Sequence, residues 1–401
     1  MSGVIRTCRP DELPALIDDA LAERCWLAPL EPGPETSWRD ADLPEGSADG
    51  GVIVATSGST GQPKGVCLSG AALRAGALAT ERVIGRRDWV GALPLQYVAG
   101  LMTLVRSRVA GADFLPLPAS LQGLAELLRG RPNRPAVASI VATHLHRALA
   151  DDPAMLAGLR ACSEVLVGGS AIPADLLERG RAAGVNAIAT YGMSETAGGC
   201  VYDGVPLPGV DVAIAEGDGR ISIAGPMIFS GYLGLPELTD ETLVDARVVT
   251  RDRGRWHDGR LEVLGRVDDV VITGGVNVDL ARAQAVLDAQ AVDSRATDSL
   301  AMGRAVLVAV PDDEWGSMIC LVVENRPAVE NGPAVENGPA VENRPVEEGP
   351  SSAGALEDWR DRLRAAGLQP AALPKRLAVV ARLPRTVSGK IDRQRLLDLF
   401  G

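Results

Sequence analysis

The chain has 401 residues, 46% of them hydrophobic, a length that predicts about two to three domains with sizeable cores. Its formal net charge is −12, from 40 lysines and arginines against 52 aspartates and glutamates. Nucleic acids and anionic membrane surfaces attract dense positive charge, so this balance excludes a general binder of either. An anionic small-molecule substrate would need a locally positive pocket.

The cysteines are widely separated and form no C-x-x-C pair, which argues against a disulfide framework and against a structural zinc site. They are Cys8, Cys25, Cys67, Cys162, Cys200 and Cys320. The first predicted element is an amphipathic helix whose apolar face contains Leu13, Leu16, Ile17, Ala20 and Leu21. The sequence has no apolar run typical of a signal peptide or a membrane span, so we expect a reduced, cytoplasmic protein without membrane insertion.

A loop rich in glycine and hydroxyl groups follows the apolar run Val52–Val54. It reads Thr56-Ser57-Gly58-Ser59-Thr60-Gly61-Gln62-Pro63-Lys64-Gly65. Glycines let the backbone approach closely, and backbone N–H groups and hydroxyls can donate to phosphate oxygens. The loop is not a Walker A motif, because two residues separate Gly61 from Lys64 and Pro63 disfavours a helix there. It predicts a phosphate-binding loop, with an ordinary polar surface turn as the alternative.

From about residue 50 to 265, short β-prone runs alternate with stretches rich in alanine, leucine and arginine. The predicted strands include Val52–Ala55, Val90–Pro94, Ala138–Val141 and Glu164–Val167, and the predicted helices include Gly70–Gly85 and Ala174–Ala183. This alternation is typical of an α/β domain with a mainly parallel sheet. Shorter strands then predict a β-rich subdomain, at Val210–Ala215, Arg220–Ala224 and Arg260–Leu264.

A domain boundary is predicted at Gly265–Asp269, because a new strand and helix unit begins at Val270. It separates an N-terminal domain, residues 1–267, from a small α+β domain, residues 268–401. Residues 324–350 interrupt the second domain with a six-residue repeat that carries one proline per unit. Such a repeat cannot bury a core and predicts an extended surface loop, for which neutral expansion is a simpler account than a function.

Several further segments carry residues suited to chemistry. Gly168-Gly169-Ser170 follows a predicted strand, and its glycines would let a flat ring approach the backbone. Tyr191-Gly192-Met193-Ser194-Glu195-Thr196 combines an aromatic face, a close-approach glycine and a carboxylate. Asp252, Gly265–Asp269 and Pro384–Arg393 complete the series. Taken singly, each segment also fits a structural role, such as a helix cap, a core aromatic side chain or a surface ion pair.

In this order, the segments resemble the motifs of the acyl-adenylate-forming superfamily, which includes acyl-CoA and aryl-CoA ligases, luciferases and peptide-synthetase adenylation domains. The resemblance runs from about residue 50 to the end of the chain. It implies a large N-terminal domain of mixed α/β sheets with a β-rich subdomain, and a small mobile α+β C-terminal domain. It also implies an acid–thiol ligase that uses ATP, Mg²⁺ and coenzyme A, forming an acyl-adenylate and releasing AMP and pyrophosphate.

The resemblance assigns roles to the matching positions. The ATP phosphates would be held by Thr56, Ser57, Gly58, Ser59, Thr60, Gly61 and Lys64. Adenine would be held by Gly168, Gly169, Ser170, Tyr191, Gly192, Met193 and Ser194, and ribose by Asp252 and Arg266. Catalysis would depend on Lys390, Glu195 and Thr60, the last two also binding the metal. Asp268 would be the hinge, and Gly274 and Gly275 would contact coenzyme A.

Elementary chemistry agrees with these roles. A carboxylate that attacks the α-phosphorus of ATP is already ionised at neutral pH, so the reaction needs cations rather than a general base. The only histidines, His144, His146 and His257, lie outside the motifs. The pair His144-x-His146 is more simply a surface pair than a metal site.

The segment Leu93–Ser107 resembles the acyl-pocket region of compact o-succinylbenzoate–CoA ligases of menaquinone biosynthesis. This implies acid-binding roles for Gln96, Tyr97 and Gly100, although many relatives have a histidine at one of the first two positions. The phosphate loop begins at residue 56, earlier than is usual, which implies a member shortened at its N-terminus. Arg251 stands where the family usually has glycine.

Three alternatives stay open from the sequence. The chain could be another aryl- or acyl-CoA ligase, an adenylating enzyme that loads a carrier protein, or an inactive nucleotide-binding protein. The resemblance also leaves a homodimer open.

Overall fold

The structure is a computed structural model that describes residues 4–30, 38, 41–57, 63–293, 302–325, 350–385 and 391–400. The chain divides into two compact units. The first comprises Met1–Thr250 and Gly254–Val263, and the second comprises Arg251–Arg253 and Leu264–Gly401.

Within the described residues, the strands are β1 (Ile5–Cys8), β2 (Trp26–Pro29), β3 (Gly51–Ser57), β4 (Pro63–Ser69), β5 (Asp88–Gly91), β6 (Phe114–Pro116), β7 (Ala136–Val141), β8 (Glu164–Gly168), β9 (Ala187–Met193), β10 (Gly198–Tyr202), β11 (Val205–Pro206), β12 (Asp211–Ile214), β13 (Arg220–Ala224), β14 (Gly231–Tyr232), β15 (Leu243–Val244), β16 (Arg247–His257), β17 (Arg260–Arg266), β18 (Val270–Thr273), β19 (Val276–Asp279), β20 (Met302–Asp312), β21 (Gly316–Asn325) and β22 (Arg376–Val380). The helices are α1 (Leu13–Leu21), α2 (Gly70–Ile84), α3 (Val98–Ala110), α4 (Leu124–Arg129), α5 (Ala142–Ala150), α6 (Pro153–Ala161), α7 (Ala174–Ala182), α8 (Pro236–Thr242), α9 (Leu280–Asp293), α10 (Pro350–Ala365) and α11 (Arg393–Leu397).

The predicted N-terminal helix is confirmed as α1. Its spacing of apolar residues places Leu13, Ile17, Ala20 and Leu21 in the core, while Leu16 is half-buried and packs against the same cluster. The strand β1, which precedes this helix, was not predicted from the sequence.

One sheet of the first unit has the strand order β1-β2-β3-β4-β14. The first three strands are parallel, whereas β3 and β4 form an antiparallel hairpin. The apolar run Val52–Val54 is fully buried because side chains on both faces of β3 enter a core. Both ends of the phosphate-loop segment therefore lie in strands whose apolar residues are buried in the core.

A second sheet of the first unit has the order β11-β10-β9-β8-β7-β5-β6. Strands β5 to β9 are parallel, which confirms the predicted α/β arrangement, and β10 and β11 extend the sheet antiparallel. Alternate residues of these strands enter two different cores: Val165 and Val167 lie in one, and Leu166 lies in the other. Burial on both faces explains why the strands are apolar throughout.

Strand β5 is shorter than predicted. It ends at Gly91, whereas the sequence favoured a strand over Val90–Pro94. Pro94 cannot donate a ladder hydrogen bond, and the ring of Phe114 occupies the space beside Gly91, where a Cβ atom would lie 2.2 Å from it. The chain leaves the sheet three residues earlier than predicted.

The predicted β-rich region forms a third sheet with the order β12-β13-β16-β15, to which β17 adds by pairing with β16. The predicted strand Arg220–Ala224 is found with the same bounds. Its alternation buries Ile221 and Ile223 and leaves their neighbours partly exposed. Strand β16 contributes residues to both units.

The second unit contains a sheet of order β19-β18-β21-β20, with β22 parallel to β21. One face packs against α9 and α10 through Leu287 and Leu363, and the other packs against α11 through Leu396. Of the predicted insertion at 324–350, residues 324 and 325 end β21 and Pro350 begins α10. Residues 326–349 lie outside the described part of the chain.

Across the helices that the structure describes, none is both long enough and apolar enough to cross a lipid bilayer.

Candidate active site

The phosphate-loop segment begins in β3 and ends in β4, and these two strands pair antiparallel. The register pairs Thr56 with Lys64 and Ser57 with Pro63. The Thr56 hydroxyl donates to the Lys64 carbonyl at 3.4 Å. The predicted ligands Gly58, Ser59, Thr60 and Gly61 lie outside the described residues, as does Lys390. A hairpin was not predicted, although the apolar run Val66–Leu68 after the loop was an available signal for its second strand.

Glu195 lies at the tip of the β9–β10 hairpin, in a single 3₁₀ turn over Ser194–Thr196. The chain reverses there through left-handed backbone at Ala197 (φ 50°) and Gly198 (φ 88°). The buried Thr196 hydroxyl accepts from the Met193 N–H at 2.9 Å and lies 2.8 Å from the Gly198 carbonyl oxygen. This turn fixes the backbone of Glu195, whose side chain is half-buried.

Tyr232 joins the two hairpins. Its hydroxyl donates to Oε1 of Glu195 at 2.7 Å, and the Lys64 Nζ lies over its ring, 5.8 Å from the centroid. The Phe229 N–H also donates to the Glu195 carbonyl at 2.9 Å. Two predicted site residues, Lys64 and Glu195, are thus brought together by an aromatic side chain that sequence reasoning missed. The available signal was only a lone tyrosine in Gly231-Tyr232-Leu233, among four tyrosines in the chain.

The predicted adenine segments follow the carboxyl ends of adjacent parallel strands. Gly168 ends β8 and Met193 ends β9, with Val167 opposite Ala189 in the register. Gly169 has φ +85°, which favours glycine at the turn out of the strand. In open α/β sheets, ligands bind outside this edge. Tyr191, half-buried, packs against the core of the first unit.

Two predicted site glycines are required by the protein backbone itself. A Cβ atom on Gly192 would lie 2.1 Å from the Gly198 carbonyl oxygen, across the hairpin. A Cβ atom on Gly100 would lie 2.2 Å from the Pro94 carbonyl oxygen, where the loop after β5 folds onto α3. The sequence attributed the close approach at Gly192 to a ligand, whereas the contact found is with the neighbouring strand.

The predicted acid-binding segment follows β5, where the strand order of the parallel sheet reverses, because β6 and β7 lie on opposite sides of β5. Such a reversal opens a crevice at the carboxyl edge. A surface cleft of ≈ 300 Å³ lies at this loop. Its lining includes Gln96, together with Leu93, Leu95, Leu117 and Asp11, but neither Tyr97 nor Gly100.

The predicted ribose ligands belong to the second unit. Asp252 is half-buried on β16, and Arg266, the last residue of β17, is exposed. The neighbouring Arg253 forms an ion pair with Asp279 of the same unit.

The predicted hinge residue Asp268 lies in a 3₁₀ turn over Val267–Asp269. Its neighbour Asp269 accepts a hydrogen bond from Arg393 Nη1 at 2.8 Å. Arg385 and Ile391 form an antiparallel bridge on either side of residues 386–390. Described residues on both sides of 386–390 therefore make contacts, and one of these contacts reaches the turn that contains the predicted hinge residue.

Gly274 and Gly275 form the turn of the β18–β19 hairpin, with φ +57° and +78°. A Cβ atom on Gly274 would lie 2.9 Å from the Trp315 ring, whereas nothing lies within 4 Å of the Cβ position of Gly275. Lys375 Nζ lies over the Trp315 ring, 2.7 Å from its centroid, and burial lowers the pKa of this lysine.

Several thiols and one imidazole lie in buried environments that disfavour their charged forms. All six cysteines are free, and burial raises the pKa of Cys67, Cys162 and Cys200 to about 12. Burial, followed by the charge of Arg147, lowers the pKa of His144, whose Nδ1 accepts from the Val141 N–H at the start of α5. No group of three or more potential metal ligands occurs in the part of the chain that the structure describes.

The geometry around Glu195 fits a Mg²⁺ ion that arrives with its nucleotide. Such ions are usually bound through one or two carboxylates together with substrate phosphates, not by a cage of protein ligands. Glu195 supplies one partly exposed carboxylate, of which Oε1 is oriented by Tyr232. Lys64 brings a positive charge to the same ring.

The family model for AMP-binding enzymes matches residues 11–233, more than half of the chain. This match decides the family. The chain belongs to the AMP-binding enzymes. The match spans the β3–β4 hairpin, the parallel sheet, Glu195 and Tyr232.

Curated relatives of this AMP-binding enzyme extend the similarity into the second unit. A Mycobacterium tuberculosis protein named as a probable 2-succinylbenzoate–CoA ligase is 35% identical over 369 residues, covering 88% of this chain and 85% of the relative. The 2-succinylbenzoate–CoA ligase of Escherichia coli is 30% identical over 280 residues, covering 67% of this chain and 57% of the relative.

Solved structures confirm the fold of this AMP-binding enzyme. The o-succinylbenzoate CoA synthetase (MenE) of Bacillus subtilis, in complex with the acyl-adenylate intermediate, matches with a TM-score of 0.65 at 23% identity, covering 86% of this chain and 68% of that one. The same synthetase with ATP and magnesium ion also matches with a TM-score of 0.65, at 22% identity, with coverages of 86% and 69%.

Proposed function

We propose that this AMP-binding enzyme is an ATP-dependent acid–CoA ligase that converts o-succinylbenzoate to o-succinylbenzoyl-CoA through an acyl-adenylate. The observation that carries the proposal is the 35% identity, over 88% of this chain, to a protein named for this reaction. The contacts of Lys64 and Glu195 with Tyr232 add a physical reason, because they place a cation and a carboxylate that could bind a metal at the same tyrosine.

In the first half-reaction, the carboxylate of the acid attacks the α-phosphorus of ATP, and pyrophosphate leaves. The loop Thr56–Lys64 would hold the β- and γ-phosphates, with Lys64 stabilising the leaving pyrophosphate by its charge. Mg²⁺, when bound, neutralises phosphate charge, and Glu195 and Thr60 would hold it. Lys390 would contact both the reacting carboxylate and the α-phosphate.

The remaining roles follow the position of each segment. Gly168–Ser170 and Tyr191–Ser194, at the carboxyl edge of the sheet, would bind adenine, and Asp252 with Arg266 would bind ribose. The loop after β5, through Gln96, Tyr97 and Gly100, would bind the acid. The structural requirement for glycine at position 100 supports an indirect role there, by shaping the loop.

In the second half-reaction, the thiol of coenzyme A attacks the acyl carbon and AMP leaves. Residues 268–401 would act as the mobile domain and Asp268 as its hinge, since the two half-reactions need different groups around the same carbon. The exposed β18–β19 turn, with Gly274 and Gly275, would contact the pantetheine arm.

Acid-dependent exchange of labelled pyrophosphate into ATP tests the proposal. The panel contains o-succinylbenzoate, benzoate and short aliphatic acids, and coenzyme A or a carrier protein then serves as acceptor. We expect exchange with o-succinylbenzoate and transfer to coenzyme A. Exchange with a different acid alone would reassign the substrate, and transfer only to a carrier protein would reassign the acceptor.

Lys390→Ala tests the mechanism within the same assay. We expect loss of exchange by about 10²–10³-fold, since one charge that stabilises the transition state is removed. A variant that keeps full adenylation activity would overturn the proposed role.

A further inference from the structure

Tyr232 occupies a position that the proposed chemistry does not yet use. It is 7% exposed, donates its hydroxyl hydrogen to Oε1 of Glu195, and presents its ring to the Lys64 ammonium. One side chain therefore contacts both the carboxylate and the cation of the candidate site. Lys64 has no carboxylate within ion-pair distance among the described residues, so its charge is not neutralised by Glu195.

The ring is held from three directions. Strand β14 pairs Tyr232 with Val66, two residues beyond Lys64 on β4. The Tyr232 N–H donates to the Thr239 hydroxyl at 2.9 Å. The Phe229 ring packs edge-on against the Tyr232 ring, with centroids 5.0 Å apart. Since backbone and packing both restrain the ring, its hydroxyl can define the direction of the Glu195 carboxylate.

We propose that Tyr232 is a positioning residue for adenylation: its hydroxyl orients the Glu195 carboxylate toward Mg²⁺–ATP, and its ring keeps the Lys64 ammonium available for phosphate. The inference rests on the proposed function of the site. A carboxylate with one oxygen bound by a neutral donor keeps its negative charge and its second oxygen for a cation. Without the ring, the Lys64 ammonium would lose the aromatic face over which it lies.

The test compares Tyr232→Phe, which keeps the ring and removes the hydroxyl, with wild-type protein. Tyr202→Phe is the matched control, because Tyr202 is similarly buried in the same unit and its hydroxyl lies 3.1 Å from that of Thr80. The first measurement is equilibrium binding of ATP by calorimetry, with and without Mg²⁺. The second is formation of the CoA thioester from supplied acyl-adenylate, a step that involves no pyrophosphate.

We expect Tyr232→Phe to weaken ATP binding at least about tenfold in the presence of Mg²⁺, as for a lost hydrogen bond to a charged group. Binding without Mg²⁺ and thioester formation from the adenylate should stay at wild-type values, as should all three measurements for Tyr202→Phe. Tyr232→Leu, which also removes the ring, should weaken Mg²⁺–ATP binding further.

Equal ATP binding by Tyr232→Phe and wild-type protein would overturn the inference. An equal loss with and without Mg²⁺, or a matching loss of thioester formation, would reduce Tyr232 to a structural residue and also overturn it. Wild-type protein that binds Mg²⁺–ATP yet exchanges pyrophosphate with no acid would overturn the proposed function separately. Absence of ATP binding by wild-type protein would overturn both.

Discussion

The β9–β10 hairpin of the first unit and the β18–β19 hairpin of the second both carry predicted ligand-binding residues at their tips, but they are built differently. At the first tip, the Thr196 hydroxyl is hydrogen-bonded and Glu195 is anchored by Tyr232. At the second, Gly275 faces open space, and Ile272 and Val276 are 59% and 44% exposed. A carboxylate proposed to meet a metal–nucleotide complex needs a fixed orientation, whereas a turn proposed to contact the arm of coenzyme A needs an accessible surface.

The largest expected effect concerns Glu195 itself. Glu195→Gln should lower acid-dependent pyrophosphate exchange by about 10²–10³-fold, because the charge that would bind Mg²⁺ is lost. CoA-thioester formation from supplied acyl-adenylate should be retained. An equal loss in both half-reactions would contradict the proposal that the β9–β10 hairpin serves adenylation and the β18–β19 hairpin serves the coenzyme A step.

The second prediction concerns backbone fit at the two tips. Gly192→Ala should lower the free energy of unfolding by about 3 kcal/mol, because its Cβ atom would collide with the Gly198 carbonyl oxygen. The matched variant Gly275→Ala should cost only about 1 kcal/mol, from its left-handed backbone. Urea-induced unfolding of the full chain measures both. Similar losses of unfolding free energy in the two variants would contradict the inference that Gly192 is tightly packed and Gly275 is not.

The third prediction applies one substitution to both hairpins. Thr196→Val should cost about 2 kcal/mol of unfolding free energy, because the Met193 N–H and the Gly198 carbonyl lose their partner. Thr273→Val should stabilise the protein by about 1 kcal/mol, because the buried Thr273 hydroxyl has no hydrogen-bond partner among the described residues. Changes of the same sign, seen in thermal or urea unfolding, would argue against this difference.

The smallest effect is expected in the contact between the predicted hinge turn, Val267–Asp269, and the terminal helix α11. Asp269→Asn and Arg393→Gln should show a coupling free energy of about 0.5 kcal/mol in a double-mutant cycle, because Arg393 is half-exposed. The coupling should weaken as salt is added. A coupling that is large and independent of salt would mean that this turn is held as firmly as Glu195 is held by Tyr232.

Much of the fold was predictable because it is encoded locally. The apolar runs in β3, β7 and β8 and the helical pattern of α2 specify their own secondary structure, and alternation of the two types specified the parallel sheet. The ends of elements were less predictable. Strand β5 ends at Gly91, whose missing side chain leaves room for the Phe114 ring, a contact between residues separated by more than twenty positions.

The candidate site was predictable to the extent that its residues lie in compact motifs. Lys64 and Glu195 stand in such motifs and were identified, whereas Tyr232 stands in a short strand with no chemical pattern of its own. Gly192 was identified for a ligand contact, yet the structure shows that the backbone of β10 already requires glycine there. A single sequence cannot distinguish a glycine required by a ligand from one required by a neighbouring strand, because the residue type is the same in both cases.

The sequence by itself determined the order of the motifs, the α/β class and the chemistry that charged residues in those motifs can perform. These properties depend on residue type and on spacing along the chain. Only the tertiary structure decided that Lys64 and Glu195 meet on Tyr232, because their contact depends on the β14–β4 pairing of segments more than 160 residues apart. It also decided which glycines are required by close contact with a neighbouring backbone segment, since that depends on which segment lies opposite them.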